Sequence, residues 1–162
     1  MEITELYDSK AIAKILNEGF LAFAEEYNFT KENAPNHLAF IDSDGVQAWL
    51  DNGLKMFGYK IDGEAIACAG YSHKNEKIFL IERLAVLPEY QNRGIGRKLM
   101  VFIESLIKDM GGSIAEIHVT DSNKKLKDWY NKQCYEEIYV EEVHIPGIKK
   151  VPFKACVMRK HL

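Results

Sequence analysis

A strand, a tight loop and a helix follow one another near the middle of this chain, and this unit constrains the fold more than any other feature. Residues 78–87 are almost continuously apolar, and Pro88 ends the run, as expected of a buried strand. Apolar residues then recur at three- and four-residue spacing over 95–110, which predicts an amphipathic helix that the glycines at 111–112 end. The chain is therefore expected to pack helices on a sheet.

The loop between this strand and this helix predicts an anion site. Its sequence is Gln91-Asn92-Arg93-Gly94-Ile95-Gly96. Two glycines allow the backbone to approach a ligand closely, and a helix N-terminus presents unpaired N–H groups and the positive end of its dipole. Phosphates bind at such places, and Arg93, Arg97 and Lys98 add positive charge.

Two well-known phosphate loops do not fit this sequence. The dinucleotide fingerprint requires a third glycine where Leu99 stands, and the P-loop requires Gly-Lys-Ser/Thr where Gly96 is followed by Arg97. The pattern Gln-x-x-Gly-x-Gly does fit, and it resembles the pyrophosphate loop of the GNAT superfamily of acetyl-CoA-dependent N-acetyltransferases. A glycine-rich connection without a ligand is the alternative, but such a turn does not need a glutamine, two arginines and a lysine.

Composition narrows the class of protein. The chain has 162 residues, 47% hydrophobic and 28% charged, with a net charge of −3, so we expect one globular domain over residues 1–162 and no nucleic-acid partner. Neither a membrane-spanning run nor a signal peptide is recognisable, and the three cysteines show no disulfide pattern. These features predict a cytoplasmic protein without a membrane partner.

Hydrophobic periodicity and turn residues predict the other elements. Strands are expected over 1–7, 54–60, 64–71, 78–87, 113–120, 136–145 and 153–159; helices are expected from the Asp8-Ser9 cap to about residue 27, once or twice within 28–53, and over 95–110 and 124–133. Asp62-Gly63 marks a hairpin turn between two of these strands. The candidate helix caps are Thr30 and Ser43 within 28–53, and Asp121-Ser122-Asn123 before 124–133. Pro146 to Pro152 reads as a basic loop. The order β-α-α-β-β-β-α-β-α-β-β predicts an α/β (α+β) mixed sheet flanked by helices, which is the order of the GNAT fold.

The resemblance implies a set of residues that bind acetyl-CoA. In this family, the strand before the loop separates from its neighbour and its backbone lines the pantetheine arm, and the N–H of Val86 is then the candidate donor to the reaction's oxyanion. The implied cofactor-binding residues are Leu84, Ala85, Val86, Gln91, Asn92, Arg93, Gly94, Ile95, Gly96, Arg97, Lys98 and Asn123.

A second motif begins at Asn123 and ends at Tyr135. It is similar to the family pattern Asn-x-x-Ala-x-x-Phe-Tyr-Glu-Lys-x-Gly-Phe, with Cys134 in place of the glycine that normally ends the helix. The resemblance makes Asn123 a contact to CoA and Tyr130 the phenol that protonates the departing thiolate. A core aromatic beside Trp129 is the alternative role for Tyr130.

Of the groups needed for acetyl transfer, the general base is the one that the sequence identifies least clearly. Glu82 and Arg83 are adjacent charges in an otherwise apolar strand, where side chains alternate, so the two are expected on opposite faces. GNAT members often carry a carboxylate on this strand, which makes Glu82 the candidate base; a structural ion pair is the equal alternative. Tyr71, Glu116 and His118 are weaker alternatives, and an amine that arrives neutral needs no protein base.

Most of the remaining sequence observations argue against a particular kind of site. The five histidines show no metal-ligand spacing, and no Gly-x-Ser-x-Gly occurs, so we expect no metal and direct transfer to the acceptor. The lysines at 124, 125 and 127 read as a solvated helix face that could meet the 3′-phosphate of CoA. In the family, the first helices and the loop between the last two strands bind the acceptor, and here they contain Glu25, Glu26, Tyr27, Glu32, Asp42, Asp44, His144, Pro146 and Phe153.

The resulting hypothesis is an N-acetyltransferase that acts on a small, cationic primary amine. The acidic residues at the expected acceptor site would attract a cationic amine. A non-catalytic acyl-CoA-binding module and a protein N-acetyltransferase are the alternatives. The last strands often pair in this family, so a homodimer also remains open.

Overall fold

The structure, a computed structural model, describes residues 1–145 and 150–162. The strands are β1 (Glu2–Glu5), β2 (Lys55–Ile61), β3 (Glu64–His73), β4 (Ile78–Val86), β5 (Ile114–Thr120), β6 (Glu136–Glu142) and β7 (Lys154–His161). The helices are α1 (Ser9–Glu26), α2 (Ser43–Asp51), α3 (Ile95–Asp109) and α4 (Lys124–Asn131), with a short 3₁₀ turn at Pro88–Tyr90. The predicted order of elements is confirmed. No helix in the described part of the chain is long and apolar enough to cross a bilayer.

Local chemistry explains several of the boundaries. Asp8 caps α1, because its carboxylate accepts from the backbone N–H groups of Lys10 and Ala11 at 3.0 and 3.1 Å. The β2–β3 hairpin turns at Asp62 and Gly63, whose φ values of 51° and 83° are those of a tight hairpin turn.

The described strands form one mixed sheet in the order β1-β2-β3-β4-β5-β7-β6. Among the described strands, only β4 and β5 pair in parallel, as expected for strands joined through a helix. Helix α1 packs closely on β4, since a Cβ on Gly19 would lie 2.9 Å from that of Ala85. Helix α3 packs on the opposite face, where Glu104 meets Lys160 of β7 at 2.6 Å. The core therefore has a layer on each side of the sheet.

Strands β4 and β5 pair over only three residues each. The last pair is Leu80 with Glu116, whereas β4 continues to Val86 and β5 to Thr120. Beyond that pair, the two neighbours have no ladder between them. This gap lies immediately before the glycine loop, as the family resemblance implied.

A bulge in β4 makes the expectation of opposite faces for Glu82 and Arg83 wrong. The β3–β4 register shifts here, and Arg83 has a φ of 57°, in the left-handed region that few side chains adopt. The extra residue breaks the alternation, so both charged side chains meet in an ion pair. Strict alternation holds only in an unbulged strand.

Other boundaries differ more modestly. Thr30 caps no helix; it exchanges hydrogen bonds with Asn33 in a turn, with Thr30 N–H to Asn33 Oδ1 at 2.8 Å. Asp42, not Ser43, caps α2 by accepting from Gly45 N–H at 2.8 Å. The strand expected over 136–145 ends at Glu142. Of the expected basic loop, residues 146–149 lie outside the described residues.

Candidate active site

A cavity of about 780 Å³ lies at the N-terminus of α3, between β4 and α4. It is lined by ten of the predicted cofactor residues: Leu84, Ala85, Val86, Gln91, Asn92, Gly94, Ile95, Gly96, Arg97 and Asn123. The sequence did not indicate Gly19, Tyr90, Asp128, Trp129 or Lys132, which complete the lining with the two lysines at 124 and 125 and Leu126. Trp129 could have been foreseen, because it stands in the second motif.

Two predicted residues lie outside this lining. The guanidinium of Arg93 lies 5.5 Å from the ring centroid of Tyr90, and Lys98 Nζ lies 5.7 Å from that of Tyr59. Both cations are therefore directed to aromatic rings, Tyr90 in the 3₁₀ turn before the loop and Tyr59 on β2.

The glycines of the loop have different tasks. Gly94 is the N-cap of α3 with a φ of 76°, and no side chain caps the helix there. Its first N–H groups therefore remain available to an anion. Gly96 lies beside α4, and a Cβ on it would meet the indole of Trp129 at 3.7 Å, an ordinary contact distance.

A side-chain hydrogen bond explains why the loop motif begins with Gln91. Its side-chain amide donates to the carbonyl oxygen of Val86 at 3.0 Å and so ties the loop to the end of β4. Leu87, the residue after Val86, donates its N–H to the carbonyl oxygen of Ile66 in β3 at 3.0 Å. Because backbone groups alternate along a strand, the N–H of Val86 points away from β3, towards the gap.

The first turn of α4 forms the other wall. Asn123 caps this helix by accepting from Leu126 N–H at 3.0 Å. Next to it, the hydroxyls of Ser122 and Tyr27 lie 3.0 Å apart, which links α1 to this wall.

The lysines of α4 separate into two groups. Lys124 lines the cavity and pairs with Asp128 at 2.7 Å. Lys127 does not lie on a solvated face, contrary to the prediction. Its ammonium lies 3.2 Å from Asp121 and 3.4 Å from Glu137, and its side chain is only 16% exposed.

The carboxylates of Asp121 and Glu137, with Cys156, make up the only cluster of metal-ligand type among the described residues, and both carboxylates already contact the Lys127 ammonium.

Tyr130 is buried and does not line the cavity. Its ring packs edge-on against Trp129 and Tyr135, at centroid distances of 4.8 and 5.6 Å. Burial raises the pKa of the Tyr130 phenol above its ordinary value, so the group keeps its proton at neutral pH. Packing satisfies the core-aromatic role, and it leaves the role of proton donor as a prediction.

Cys134 takes over the conformation of the glycine it replaces. Its φ is 69°, in the left-handed region. The helix before it ends at Asn131, two residues sooner than predicted. The turn is therefore kept despite the side chain.

The carboxylate of Glu82 already has two side-chain partners. Its Oε1 accepts from Ser72 Oγ at 2.8 Å, and its other oxygen pairs with Arg83. The Arg83 guanidinium in turn lies over the ring of Trp49 at 4.1 Å. The structural ion pair that was the alternative for Glu82 is therefore present.

Two of the weaker candidates, Glu116 and Tyr71, are poorly suited to act as the general base. Glu116 is fully buried, and hydrogen bonds from Lys74, His118 and Arg159 outweigh its desolvation and lower its pKa to about 2. Tyr71 is buried, and desolvation raises its pKa. Neither group readily takes a proton at neutral pH.

The residues expected at the acceptor site are spread out. Tyr27 and Phe153 belong to an aromatic cluster with Phe23 and Phe29, with 5.0 Å between the Tyr27 and Phe153 centroids. Asp42 caps α2, whereas Glu25, Glu26 and Glu32 are exposed. Pro146 lies outside the described residues.

Comparison with known proteins gives consistent results. A model of the acetyltransferase (GNAT) family matches residues 10–134. A curated relative, an uncharacterized N-acetyltransferase of Chlorobaculum tepidum, is 32% identical over 79 residues, which make up 49% of this chain and 48% of that protein. The match thus spans about half the length of that relative.

Solved structures share the fold at low identity. The PaiA N-acetyltransferase of Thermoplasma acidophilum in complex with coenzyme A has a TM-score of 0.77 and 14% identity over 100% of both chains. The ribosomal-protein-alanine N-acetyltransferase of Brucella melitensis has a TM-score of 0.75 and 17% identity, also over 100% of both. A GNAT family acetyltransferase of Elizabethkingia anophelis with acetyl-CoA bound has a TM-score of 0.61 and 17% identity over 72% of this chain and 83% of that one.

Proposed function

The chain belongs to the GNAT family of acetyltransferases, and from this premise we propose that it transfers the acetyl group of acetyl-CoA directly to the primary amine of a small, cationic acceptor. One observation carries the proposal. The cavity at the uncapped N-terminus of α3 is continuous with the stretch of β4 that has lost its pairing to β5.

The residues of the cavity suit acetyl-CoA. Backbone N–H groups at the start of α3 would hold the pyrophosphate, and the left-handed Gly94 aims them into the cavity without a competing side-chain cap. The unpaired edge of β4 from Leu84 to Val86 would hold the pantetheine arm. The lysines at 124, 125 and 132 also line the cavity and would supply charge for the remaining phosphate.

Two groups are proposed for the transfer itself. The N–H of Val86 would donate to the developing oxyanion, because it points into the gap. Tyr130 would return a proton to the departing sulfur. For that it must reach the cavity from its buried place, and a neutral phenol is the required protonation state. The base predicted on β4, Glu82, stays a prediction from the sequence and is not assigned this step, because its carboxylate is shared between Arg83 and Ser72.

The acceptor would approach from the sheet face opposite α3. Direct transfer needs the amine and the thioester on either side of the same gap. A protein acceptor is the second candidate, because two proteins of the same fold are named as ribosomal-protein-alanine N-acetyltransferases.

Thiol release tests the proposal and separates the candidates. The purified protein is incubated with acetyl-CoA and, in separate reactions, with spermidine, phenethylamine or an alanine-initiated peptide. Acceptor-dependent release with a free amine supports the proposal, and release with the peptide alone favours a protein acceptor. Binding of CoA by calorimetry without release from any acceptor would instead indicate a non-catalytic acyl-CoA-binding module.

A further inference from the structure

A second cavity, of about 350 Å³, opens beside the carboxyl end of β5. Its lining includes His118 and Thr120 of β5, and Glu141 of β6. Neither the phosphate loop nor the second motif contributes to it. Two carboxylates and two imidazoles make it the more polar of the two cavities: Glu141, Glu142, His118 and His144.

The His118 side chain projects from the face that α3 does not cover. Lys160 pairs with Ala115 and reaches Glu104 of α3, so Ala115 shares the α3 face. Side chains alternate along a strand, so Glu116 and His118 point to the opposite face. This is the face from which the acceptor is proposed to approach.

One turn joins the lining of the first cavity to the lining of the second. Thr120 lines the second cavity and Asn123 lines the first, and the N–H of Asn123 donates to the Thr120 carbonyl at 2.9 Å. The pairing of β4 with β5 ends at Glu116. His118 is therefore the first residue of β5 beyond the end of that pairing whose side chain points to the acceptor face.

A buried carboxylate orients the imidazole. Glu116 Oε1 lies 2.8 Å from His118 Nε2, and its other oxygen accepts from Arg159 at 2.8 Å. The pKa of Glu116, lowered to about 2, keeps it an anion, so Nε2 must carry a proton to make this hydrogen bond. The lone pair of the neutral ring is then on Nδ1.

The free nitrogen faces a place for a cation. His118 Nδ1 lies 3.8 Å from a carboxylate oxygen of Glu141, too far for a hydrogen bond, and both side chains are partly exposed, at 35% and 43%. The charged groups around the ring are Glu116, Lys74, Arg159 and Glu141, with Glu142 and His144 elsewhere in the cavity lining. An alkylammonium between Nδ1 and Glu141 would meet an anion and a proton acceptor together.

We propose that His118, oriented by Glu116, is the general base that deprotonates the acceptor's ammonium group, and that Glu141 attracts that group. This inference rests on the proposed function. It assigns the task to a side chain with a free lone pair, whereas Glu82 is engaged by Arg83 and Ser72. Glu116 is then a positioning residue.

The proton balance is complete without a further reactant. One N–H proton passes from the ammonium to His118 Nδ1 and later to solvent, and the amine nitrogen forms a bond to the thioester carbonyl carbon. The C–S bond breaks, and a second N–H proton ends on the sulfur, with Tyr130 as the proposed relay. The products are an N-substituted acetamide, free CoA and one proton.

Turnover of three variants and one matched control tests the assignment with spermidine as acceptor. His118→Gln and His118→Ala are expected to lower kcat by about 10²- to 10⁴-fold with CoA affinity unchanged. Free imidazole should restore part of the activity of His118→Ala, because the ring can enter the adjoining cavity. Glu141→Gln should raise the KM for spermidine more than it lowers kcat. His161→Gln changes an exposed histidine at the far end of β7 and should behave as wild type.

Each result has a separate meaning. Unchanged kcat in His118→Gln, or a loss in His118→Ala that imidazole does not reverse, overturns the base while leaving the transferase intact. A wild-type protein that releases no thiol with any acceptor overturns the proposed function, and the base with it. Loss of activity in His118→Gln with imidazole rescue of His118→Ala supports the assignment.

Discussion

Replacing Gly94 by alanine isolates the backbone requirement of the phosphate loop. Gly94 has a φ of 76°, and a Cβ built on it would meet nothing within 4 Å. The cost of the substitution must therefore come from the left-handed conformation rather than from a clash.

The expected change in the free energy of unfolding follows from two opposing effects. An L-residue in the left-handed region costs about 1–2 kcal/mol, and alanine reduces the entropy of the unfolded chain by about 0.4–1 kcal/mol. The net loss in the free energy of unfolding should be about 1 kcal/mol, which lowers Tm by about 2–4 °C for a chain of this size. If the free loop relaxes instead, CoA binding must restore the strained φ, and affinity falls by up to about tenfold.

Urea unfolding followed by circular dichroism measures the first quantity, and calorimetric titration with CoA measures the second. Gly96→Ala is the matched control, because its φ is not left-handed and its new methyl group would meet Trp129 at an ordinary 3.7 Å. That variant should be as stable as wild type or more so, by up to about 1 kcal/mol. If Gly94→Ala matched wild type in both stability and affinity, the account of the loop would be refuted.

Three further predictions concern single side chains. Tyr130→Phe should lower turnover by about 10²- to 10⁴-fold in steady-state assays while CoA affinity stays within about twofold, and an unchanged rate would remove this phenol from the mechanism. Glu82→Gln should cost about 1–3 kcal/mol in urea unfolding, because it leaves Arg83 without its ion pair, while kcat falls less than tenfold; a much larger fall in kcat would restore Glu82 as the base. The pKa of Glu116 falls on folding from its ordinary 4.5 to about 2, so its ionic contribution is complete above pH 4.5 and is lost as the pH falls towards 2; Glu116→Gln should flatten the dependence of Tm on pH in that window, and a parallel curve would contradict the cluster's charge state.

Local signals were sufficient for most of the architecture. Asp62 and Gly63 predicted the hairpin turn that their positive φ values confirm, and the apolar spacing of α3 predicted its start at the loop and its end before the two glycines at 111–112. The run Asp121-Ser122-Asn123 predicted a cap for α4, and the structure shows that Asn123 is the residue that caps it. These features depend on residues close together in sequence, which is where periodicity and capping carry information.

The tertiary contacts of the site could not be predicted in this way. The bulge at Arg83 brings its guanidinium over Trp49, and neither residue's neighbours in sequence indicate the other. Glu116 appeared as one carboxylate in a strand, although its charge is set by Lys74 from beyond β3 and by Arg159 from β7. His118 gained its orientation only through that carboxylate. Such groups become recognisable when the sheet brings distant strands into register.

Titration of the ¹⁵N-labelled protein with coenzyme A tests the central claim most directly. The account predicts saturable heat by calorimetry, together with large amide shift changes at Gly94 and Gly96 and small ones at Gly53 and Gly63, which lie in turns away from the cavity. An absence of heat, or shift changes that leave the N-terminus of α3 unaffected, would contradict it.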